Sequence, residues 1–299
     1  MKTQQTQKTQ QTQQTQQTQQ TQKAQKTAVV AALAFAATAL TGCGAAASGA
    51  PSADCKPAHT FPTVAQGKLS VVLYDLPPFS KLEGNKVTGV DGDIVNAIAE
   101  MECLTVSAKS VATAANIPTV QAGRADVSIA AWYRTAARAE IVGLTDPIYT
   151  DQMAVISRDG LDDAEQLKGK SVGTVDGYLW VDDMKKLLGD SLKVYPTTLN
   201  MNQDLAAGRI DIGIDSYGSA QFNKKGDFKV SVIKPHEAIA ASKEAAQIAI
   251  PVPQKNTELL AALNADLKTL RENGKLAEIL KDNGLDASAA ETGEARLIK

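Results

Sequence analysis

Two aromatic residues and an arginine follow one short apolar segment of the sequence. The segment runs from Asp126 to Ala131, and it is followed by Trp132, Tyr133 and, on the first turn of an expected helix, Arg138. A guanidinium pairs with a carboxylate through two parallel hydrogen bonds, and aromatic faces stack on flat groups or attract cations. A strand that delivers such groups to a sheet edge indicates a site that holds a small solute. The alternative is a surface arginine, although the first turn of a helix disfavours a cation.

A second set of rings lies in the C-terminal half. Gly177, Tyr178 and Trp180 follow one expected strand, and Asp215 and Tyr217 follow another. Backbone donors at a helix N-terminus after Gly177 favour an anion. Both tryptophans and three of the six tyrosines therefore fall on loops that are expected to line a cleft. The alternative is that these rings fill a hydrophobic core.

Three acidic residues add negative charge near the same expected strand ends. They are Asp75, Asp176 and Asp215. Asp176 is alternatively a helix N-cap, and Asp75 alternatively caps a turn. The rings and the acidic groups predict a ligand with a cationic or planar group, together with a carboxylate for Arg138.

Other chemistries have little support in the sequence. His59 and His236 are far apart, so no metal site is predicted, and no cofactor is expected. No Ser-His-Asp or Cys-His arrangement is evident. The net charge of -2 gives no electrostatic reason to expect binding to nucleic acid.

Two halves of the chain carry matching phrases in the same order. Gly67–Asp75 and Gly169–Asp176 both read as a turn and then a strand, and Ala122–Val127 matches Ala207–Ile212. Strands alternate with helices in both halves, which is typical of an α/β protein with mainly parallel sheets. The sequence therefore predicts two similar lobes.

Local patterns place most elements of these lobes. Asp91 or Asp93 is expected to cap a helix that ends at Met101, and Asp126 and Asp211 are assigned to hydrogen bonding at strand starts. Strands are expected at 104–108, 126–131, 192–195 and 210–214, and helices at 117–122, 179–188, 201–207, 257–272 and 274–280.

Apolar segments at 152–157 and 247–252 are expected to cross between the lobes. Two crossings between two α/β lobes make a hinge with a cleft. We assign residues 59–150 and 248–286 to lobe 1, residues 151–247 to lobe 2, and residues 287–299 to a polar tail.

The N-terminus has the features of a secretory signal. A Gln/Thr-rich tract with lysines, residues 1–27, precedes the apolar residues 28–40. Leu40-Thr41-Gly42-Cys43 resembles the lipobox of bacterial lipoproteins, which implies that Cys43 is lipidated after removal of the signal. With residues 44–58 as a tether, the mature protein is expected outside the cytoplasmic membrane and anchored to it by acyl chains.

Cys55 and Cys103 are the remaining cysteines. An oxidising compartment favours a disulfide between them, and two buried free thiols are the alternative. A bridge would pin the start of lobe 1 to the end of its first helix.

From about residue 67 to residue 284 the chain resembles the family 3 extracellular solute-binding proteins, the amino-acid-type receptors of ABC importers. The resemblance rests on phrases that occur in the family's order. They are Pro77-Pro78-Phe79, Gly89-Val90-Asp91-Gly92-Asp93-Ile94, Thr135-Ala136-Ala137-Arg138, Leu144-Thr145-Asp146-Pro147-Ile148-Tyr149, Leu167-Lys168-Gly169, Gly208-Arg209-Ile210-Asp211 and Leu270-Arg271-Glu272-Asn273-Gly274.

The resemblance implies specific roles for individual residues. Arg138 matches the arginine that grips the ligand's carboxylate, and Ala131 and Tyr133 occupy positions where backbone groups and a small hydroxyl meet the ligand. The family's amine-binding aspartate falls at Ser216, one position after Asp215. Because rings replace hydroxyls and a serine replaces that aspartate, the ligand is expected to differ from an ordinary α-amino acid. Phe79 completes the candidate ligand contacts.

The function implied by the resemblance is that of a lipid-anchored substrate-binding component of an ABC importer. It is expected to act as a monomer that captures an amino acid or similar solute, including a quaternary amine or an aromatic compound, and delivers it to a permease. The alternatives are a ligand-sensing protein and a dehydratase-like enzyme on the same scaffold.

Overall fold

The computed structural model describes residues 54–299. The predicted signal at 1–43, the lipidation of Cys43 and nearly all of the predicted tether lie outside the described residues. No helix within residues 54–299 is both long and apolar enough to cross a membrane.

The first lobe is built on a three-stranded parallel sheet with β1 in its centre, in the order β4-β1-β5. A short antiparallel hairpin, β2 and β3, precedes the first helix. The elements are β1 (Lys68–Leu73), β2 (Lys81–Glu83), β3 (Lys86–Thr88), α1 (Val90–Met101), β4 (Thr105–Ser110), α2 (Asn116–Gln121), β5 (Val127–Ser128), α3 (Ala136–Ala139) and β6 (Val142–Leu144).

Two short strands link the lobes. They are β7 (Thr150–Asp151) and, on the return, β13 (Ala246–Gln247), and they pair antiparallel with each other. The chain therefore crosses twice, but earlier than the predicted segments 152–157 and 247–252, because residues 153–157 belong to the sheet of the second lobe and residues 251–253 pair within the first.

The second lobe has a five-stranded sheet in the order β10-β9-β11-β8-β12. Its four strand pairings differ in direction, because β9 pairs parallel with β10 and β11 whereas β8 pairs antiparallel with β11 and β12. The elements are β8 (Met153–Ser157), β9 (Val172–Val175), α4 (Val181–Leu188), β10 (Leu192–Tyr195), α5 (Thr198–Ala206), β11 (Ile212–Ser216), α6 (Tyr217–Asn223) and β12 (Lys229–Val232).

After the return crossing the chain rejoins the first lobe. Strand β14 (Pro251–Pro253) pairs with β6, and helices α7 (Thr257–Glu272) and α8 (Lys275–Asp282) pack against α1. The predicted α/β class with two lobes is confirmed, with mixed strand directions in the second sheet.

The matched phrases of the two halves form the same local structure. The Asp126 carboxylate accepts from the backbone N–H groups of Val64 and Ser70, both at 2.7 Å, and the Asp211 carboxylate accepts from the N–H of Ser171 at 2.9 Å. The backbone N–H of each aspartate donates back to the same serine carbonyl, at 2.9 Å and 2.8 Å. Their assignment to strand-start bonding is confirmed.

The disulfide between Cys55 and Cys103 is confirmed, with 5.8 Å between the two Cα atoms. It joins the first described residues to the chain just after α1. The bridge closes a long loop, which restricts the unfolded chain by about 4 kcal/mol on the chain-entropy model.

Two local predictions and one of the alternatives are wrong. Helix α1 begins after Gly89 without a side-chain cap, because the Asp91 carboxylate points to another segment. The strand expected at 126–131 is only Val127–Ser128, because the backbone turns into positive φ at Ala130 and Ala131. Asp176 is no cap, since α4 begins five residues later.

The predicted polar tail packs onto the crossing strands. The Gln247 side chain donates to the carbonyls of Thr292 and Glu294, at 2.9 Å and 2.7 Å, and accepts from the N–H of Arg296 at 2.8 Å. Ile298 is 9% exposed and belongs to the main core. These contacts fix the chain end next to α3.

Candidate functional site

A small cavity lies between the two lobes at the carboxyl ends of β1 and β9. Its volume is about 30 Å³. Both lobes supply its walls, and aromatic side chains make up half of them. The lining residues are Tyr74, Leu76, Ala131, Trp132, Tyr133, Arg138, Tyr178, Leu179, Trp180 and Ser216.

The five rings form a continuous chain across the cleft. Tyr74 contacts Trp132 edge-on with centroids 5.7 Å apart and faces Tyr178 at 6.4 Å. Trp180 then contacts both Tyr178, at 5.1 Å, and Tyr133, at 6.0 Å. Tilted and edge-to-face pairs are the favoured aromatic geometries. The rings of lobe 1 and lobe 2 therefore touch each other directly.

Each tryptophan is anchored by a hydroxyl from its own sheet. The indole N–H of Trp132 donates to Ser128 Oγ in β5 at 2.8 Å, and that of Trp180 donates to Thr174 Oγ1 in β9 at 2.8 Å. A buried indole N–H without an acceptor is costly. The two bonds fix both ring planes, and they repeat the same arrangement in the two lobes.

Arg138 reaches the cavity from the four-residue helix α3. Thr135 caps this helix, because its hydroxyl accepts from the backbone N–H of Arg138 at 3.1 Å. The guanidinium donates to the Tyr133 carbonyl at 2.7 Å and lies 4.8 Å from the centre of the Trp132 ring. Burial lowers the pKa of Arg138 to about 10, so it stays protonated at neutral pH. Within residues 54–299 no carboxylate forms an ion pair with it.

The backbone before the rings is held by a buried acid. Ala130 and Ala131 have φ values of 131° and 50°, which residues other than glycine rarely adopt. The Asp91 carboxylate accepts from both N–H groups, at 3.0 Å and 2.7 Å, and from the Tyr149 hydroxyl at 2.7 Å. Asp91 thus stabilises a strained turn that aims Trp132 and Tyr133 into the cleft. The N–H of Ala131 is consequently occupied within the protein.

Two further carboxylates lie behind the rings. Asp215 is fully buried and accepts from the Tyr178 hydroxyl at 3.0 Å, and burial raises its pKa to about 7. Asp151 in β7 accepts from the Tyr133 hydroxyl at 3.3 Å, and burial raises its pKa to about 6. Each acid thus orients a tyrosine hydroxyl at the cavity edge and adds negative potential there in its ionised form.

Six of the eleven predicted contact residues line the cavity: Arg138, Ala131, Trp132, Tyr133, Tyr178 and Trp180. The other five are not brought to its wall. Asp75 is exposed and accepts from the N–H of Leu82 at 3.2 Å, as in the alternative reading of a turn cap. Asp215 lies behind Tyr178, as described above.

Phe79 and Tyr217 do not reach the aromatic cavity, because the first is packed in the core and the second faces another cavity. Phe79 is fully buried and stacks on Tyr149 with centroids 5.8 Å apart. Tyr217 is 38% exposed and lines a separate cavity of about 590 Å³ on the other side of Asp151.

Gly177 marks a close approach of the two lobes. Its φ is 80°, and a Cβ at this position would lie 3.1 Å from the backbone of Ala114 in the first lobe. Glycine therefore permits a contact that any side chain would crowd.

Sequence reasoning missed Tyr74 and the buried acids Asp91 and Asp151. A signal for Tyr74 was available, because it follows the last residue of β1, where parallel strands present their binding groups. Successive residues of an extended chain point to opposite sides. Asp75 was chosen from this pair, and the structure turns it to solvent.

The chain is similar to a known protein family and to several of its members. Residues 70–284 match the model for bacterial extracellular solute-binding proteins, family 3. The chain is 25% identical over 214 residues to the arginine-binding extracellular protein ArtP of Bacillus subtilis (strain 168), covering 69% of this chain and 82% of ArtP. It is 26% identical to the L-arginine-binding protein of Pseudomonas aeruginosa, over 68% of this chain and 82% of that protein.

Solved structures show the same two-lobed fold. An ancestral arginine-binding protein bound to arginine superimposes with a TM-score of 0.65 at 26% identity. The match covers 73% of this chain and 99% of that protein.

Proposed function

The chain belongs to the family 3 bacterial extracellular solute-binding proteins, and we propose that within this family it captures an amino acid or amino-acid-like solute for an ABC importer. The relatives named for arginine binding support the substrate class. The observation that carries the proposal is Arg138, a protonated guanidinium at an aromatic cavity between two lobes.

Arg138 is proposed to bind the carboxylate of the solute. Its bond to the Tyr133 carbonyl uses one of the five guanidinium N–H donors and fixes the group against Trp132. The remaining edge suits a carboxylate, which needs two parallel N–H donors. Exclusion of water by the surrounding rings would strengthen such a pair.

The rings are proposed to enclose a cationic or planar group of the same solute. A cation over an aromatic face gains about 0.5–2 kcal/mol per contact, and more where water is excluded. Asp215 and Asp151 lie behind Tyr178 and Tyr133, at 3.0 Å and 3.3 Å from the two hydroxyls, and add negative potential on that side. A guanidinium side chain and a quaternary amine both fit this description.

The cavity implies a closed conformation that must open to take up its ligand. Ligand pockets usually have volumes of about 300–1,000 Å³, whereas this cavity has about 30 Å³. The five rings leave little space between Arg138 and the second lobe. Separation of the lobes at the crossing strands, or rotation of the rings, is therefore part of the proposed binding cycle.

The setting is proposed from the N-terminal sequence. Lipidation at Cys43 would hold a monomeric receptor outside the cytoplasmic membrane, where it presents its solute to a permease. The tether before the disulfide would let it reach that partner.

Tryptophan fluorescence provides the test, since both tryptophans of the chain line the cavity. The purified protein is titrated with L-arginine, glycine betaine and spermidine. We expect a response to a ligand that carries both a carboxylate and a cation. No response to any of the three would contradict the proposal.

Arg138→Ala sharpens the test. Loss of one partner of a buried charge pair weakens binding by about 2–5 kcal/mol, or roughly 30-fold to several thousand-fold. Arg124→Ala is the matched control, because Arg124 is exposed in the same lobe. Calorimetric affinity for the carboxylate ligand should fall only in Arg138→Ala. Unchanged affinity in that variant would remove Arg138 from the site.

A further inference from the structure

Three potential metal ligands meet in the first lobe, and none of them lines the aromatic cavity. His59 lies in the segment before β1, Glu102 follows α1 directly, and Asp266 lies in the middle of α7. Their nearest ligand atoms all lie within 4.8 Å of one another. No local pattern in the sequence indicated this cluster, since its members are far apart along the chain.

The geometry joins one imidazole to two buried carboxylates. His59 Nδ1 lies 2.5 Å from Glu102 Oε1 and 3.7 Å from Asp266 Oδ1. The side chains of Glu102 and Asp266 are 1% and 0% exposed, while that of His59 is 37% exposed. The histidine therefore covers the two acids and leaves a path from solvent.

Asp266 is unsatisfied within the described part of the chain. Neither of its carboxylate oxygens has a hydrogen-bond partner among residues 54–299. A buried charge without a partner is strongly destabilising, and one histidine cannot neutralise two carboxylates.

We propose that His59, Glu102 and Asp266 bind one divalent transition-metal cation, with Zn²⁺ as the best match. Zinc takes imidazole nitrogen and carboxylate oxygen together in tetrahedral sites at about 2.0–2.2 Å. Two ligand atoms of one tetrahedral ion lie about 3.4 Å apart. The longest separation in the cluster, up to 4.8 Å, therefore has to contract by roughly 1.4 Å. The 2.5 Å between His59 Nδ1 and Glu102 Oε1 has to lengthen by roughly 0.9 Å.

The surroundings support this donor set. The second oxygen of Glu102 accepts from the backbone N–H of His59 at 2.9 Å, which orients the carboxylate toward the cluster. Such supporting bonds orient metal ligands. The fourth position would face solvent beside His59. A cation there would join the N-terminal segment to α1 and α7, next to the Cys55–Cys103 bridge.

The competing explanation is a proton shared between Glu102 and Asp266. One shared proton would leave the two carboxylates with a single negative charge, which His59 could balance. Zinc would then neither bind nor raise Tm. Asp266→Asn would then stabilise the metal-free protein, because it removes the like-charge repulsion while it keeps the shape.

Zinc binding by the full chain tests the proposal directly. The protein is stripped with EDTA, dialysed, and titrated with ZnCl₂ by calorimetry, and Tm is measured with and without zinc. We expect one equivalent of zinc to bind and Tm to rise, since a cation that binds only the folded state stabilises it.

Two variants and a matched control assign the ligands. Asp266→Asn and His59→Asn should each weaken zinc binding by about 100-fold or more, beyond the usual effect of a supporting residue. The chain has two histidines, so His236→Asn is the control and should bind zinc as the parent does. His59 is partly exposed, so its variant is expected to fold even if Asp266→Asn does not. Absence of a zinc-dependent rise in Tm, or an equal rise in His59→Asn, would overturn the proposal.

Discussion

Asp215 is a fully buried carboxylate that is hydrogen-bonded by its own lobe. It accepts from Tyr178 Oη, from Ser219 Oγ at 2.8 Å and from the N–H of Ser216 at 2.8 Å. Burial nevertheless raises its pKa to about 7. The cost of desolvation therefore exceeds the gain from three hydrogen bonds.

The raised pKa predicts how stability depends on pH. Between about pH 4 and pH 7 the folded state binds more protons at Asp215 than the unfolded chain does. Asp215 therefore makes its full contribution to the free energy of unfolding below about pH 4. This contribution is lost as the pH rises from about 4 through 7. The loss is at most about 1.4 kcal/mol per pH unit.

Asp215→Asn should flatten this profile. Thermal unfolding from pH 4.5 to pH 7.5 is expected to show a smaller fall in Tm for the variant than for the parent. Asp151 titrates in the same direction, so part of the slope remains. Asp75→Asn, at an exposed position, serves as the control and should leave the slope unchanged. If Tm falls with pH as steeply in Asp215→Asn as in the parent, Asp215 is not the source of the pH dependence.

At the scale of elements, α3 depends on the chain end. A helix of four residues is too short to be stable by itself. Its first N–H, at Ala136, donates to the Ile298 carbonyl at 2.8 Å, and the N–H of Ile298 donates to the Arg134 carbonyl at 3.0 Å. Arg138 is thus held in place by residues at the far end of the sequence.

Ile298→Ala tests this dependence. Removal of a buried isoleucine side chain costs about 2–5 kcal/mol in a core, and the lower end applies to a residue that is 9% exposed. Urea unfolding should show this loss, together with weaker ligand binding because α3 is less well held. Leu297→Ala is the neighbouring control, since Leu297 is 38% exposed. Equal effects of both substitutions would mean that the chain end has no specific role.

At the scale of the whole molecule, the two lobes approach each other closely at particular glycines. Gly177 of the second lobe lies against Ala114 of the first, and a Cβ on Gly218 would lie 2.4 Å from Phe79 Cζ. Together with the touching rings, these contacts join the lobes in the arrangement that we propose is the closed one. The close approach of the lobes therefore depends on small residues at their surfaces.

Gly177→Ala should disfavour closure. The new Cβ would lie 3.1 Å from the Ala114 backbone, so the lobes would have to separate slightly. We expect ligand affinity to fall by about tenfold, or about 1.4 kcal/mol. Gly189→Ala is the control, because its φ is also positive, at 55°, but nothing lies within 4 Å of its Cβ position.

Both glycine variants should lose similar stability through backbone strain, and only Gly177→Ala should lose affinity. A comparable loss of affinity in Gly189→Ala would mean that strain alone explains the result. Calorimetric titration of both variants with the ligand found for the parent protein measures the two affinities.

Local features were predictable from the sequence because they depend on neighbours along the chain. The alternation of strands and helices predicted the α/β class. The repeated Gly-Arg-x-Asp sequences predicted that Asp126 and Asp211 form matching hydrogen bonds at strand starts. Helical spacing gave α7 with its correct bounds, Thr257–Glu272. The compartment implied by the signal favoured the Cys55–Cys103 bridge.

The tertiary structure alone decided which side chains meet. Tyr74 rather than Asp75 faces the cavity, because the direction of a side chain past a strand end depends on the turn that follows. The two φ reversals at Ala130 and Ala131 depend on Asp91, which lies 39 and 40 residues earlier.

The contact of Ile298 with α3 and the cluster around Asp266 likewise join segments that are remote in sequence. Local propensity and periodicity carry no information about such pairs. The sequence by itself therefore determined the α/β class with two lobes and favoured the bridge and Arg138, whereas long-range packing decided the shape and lining of the site.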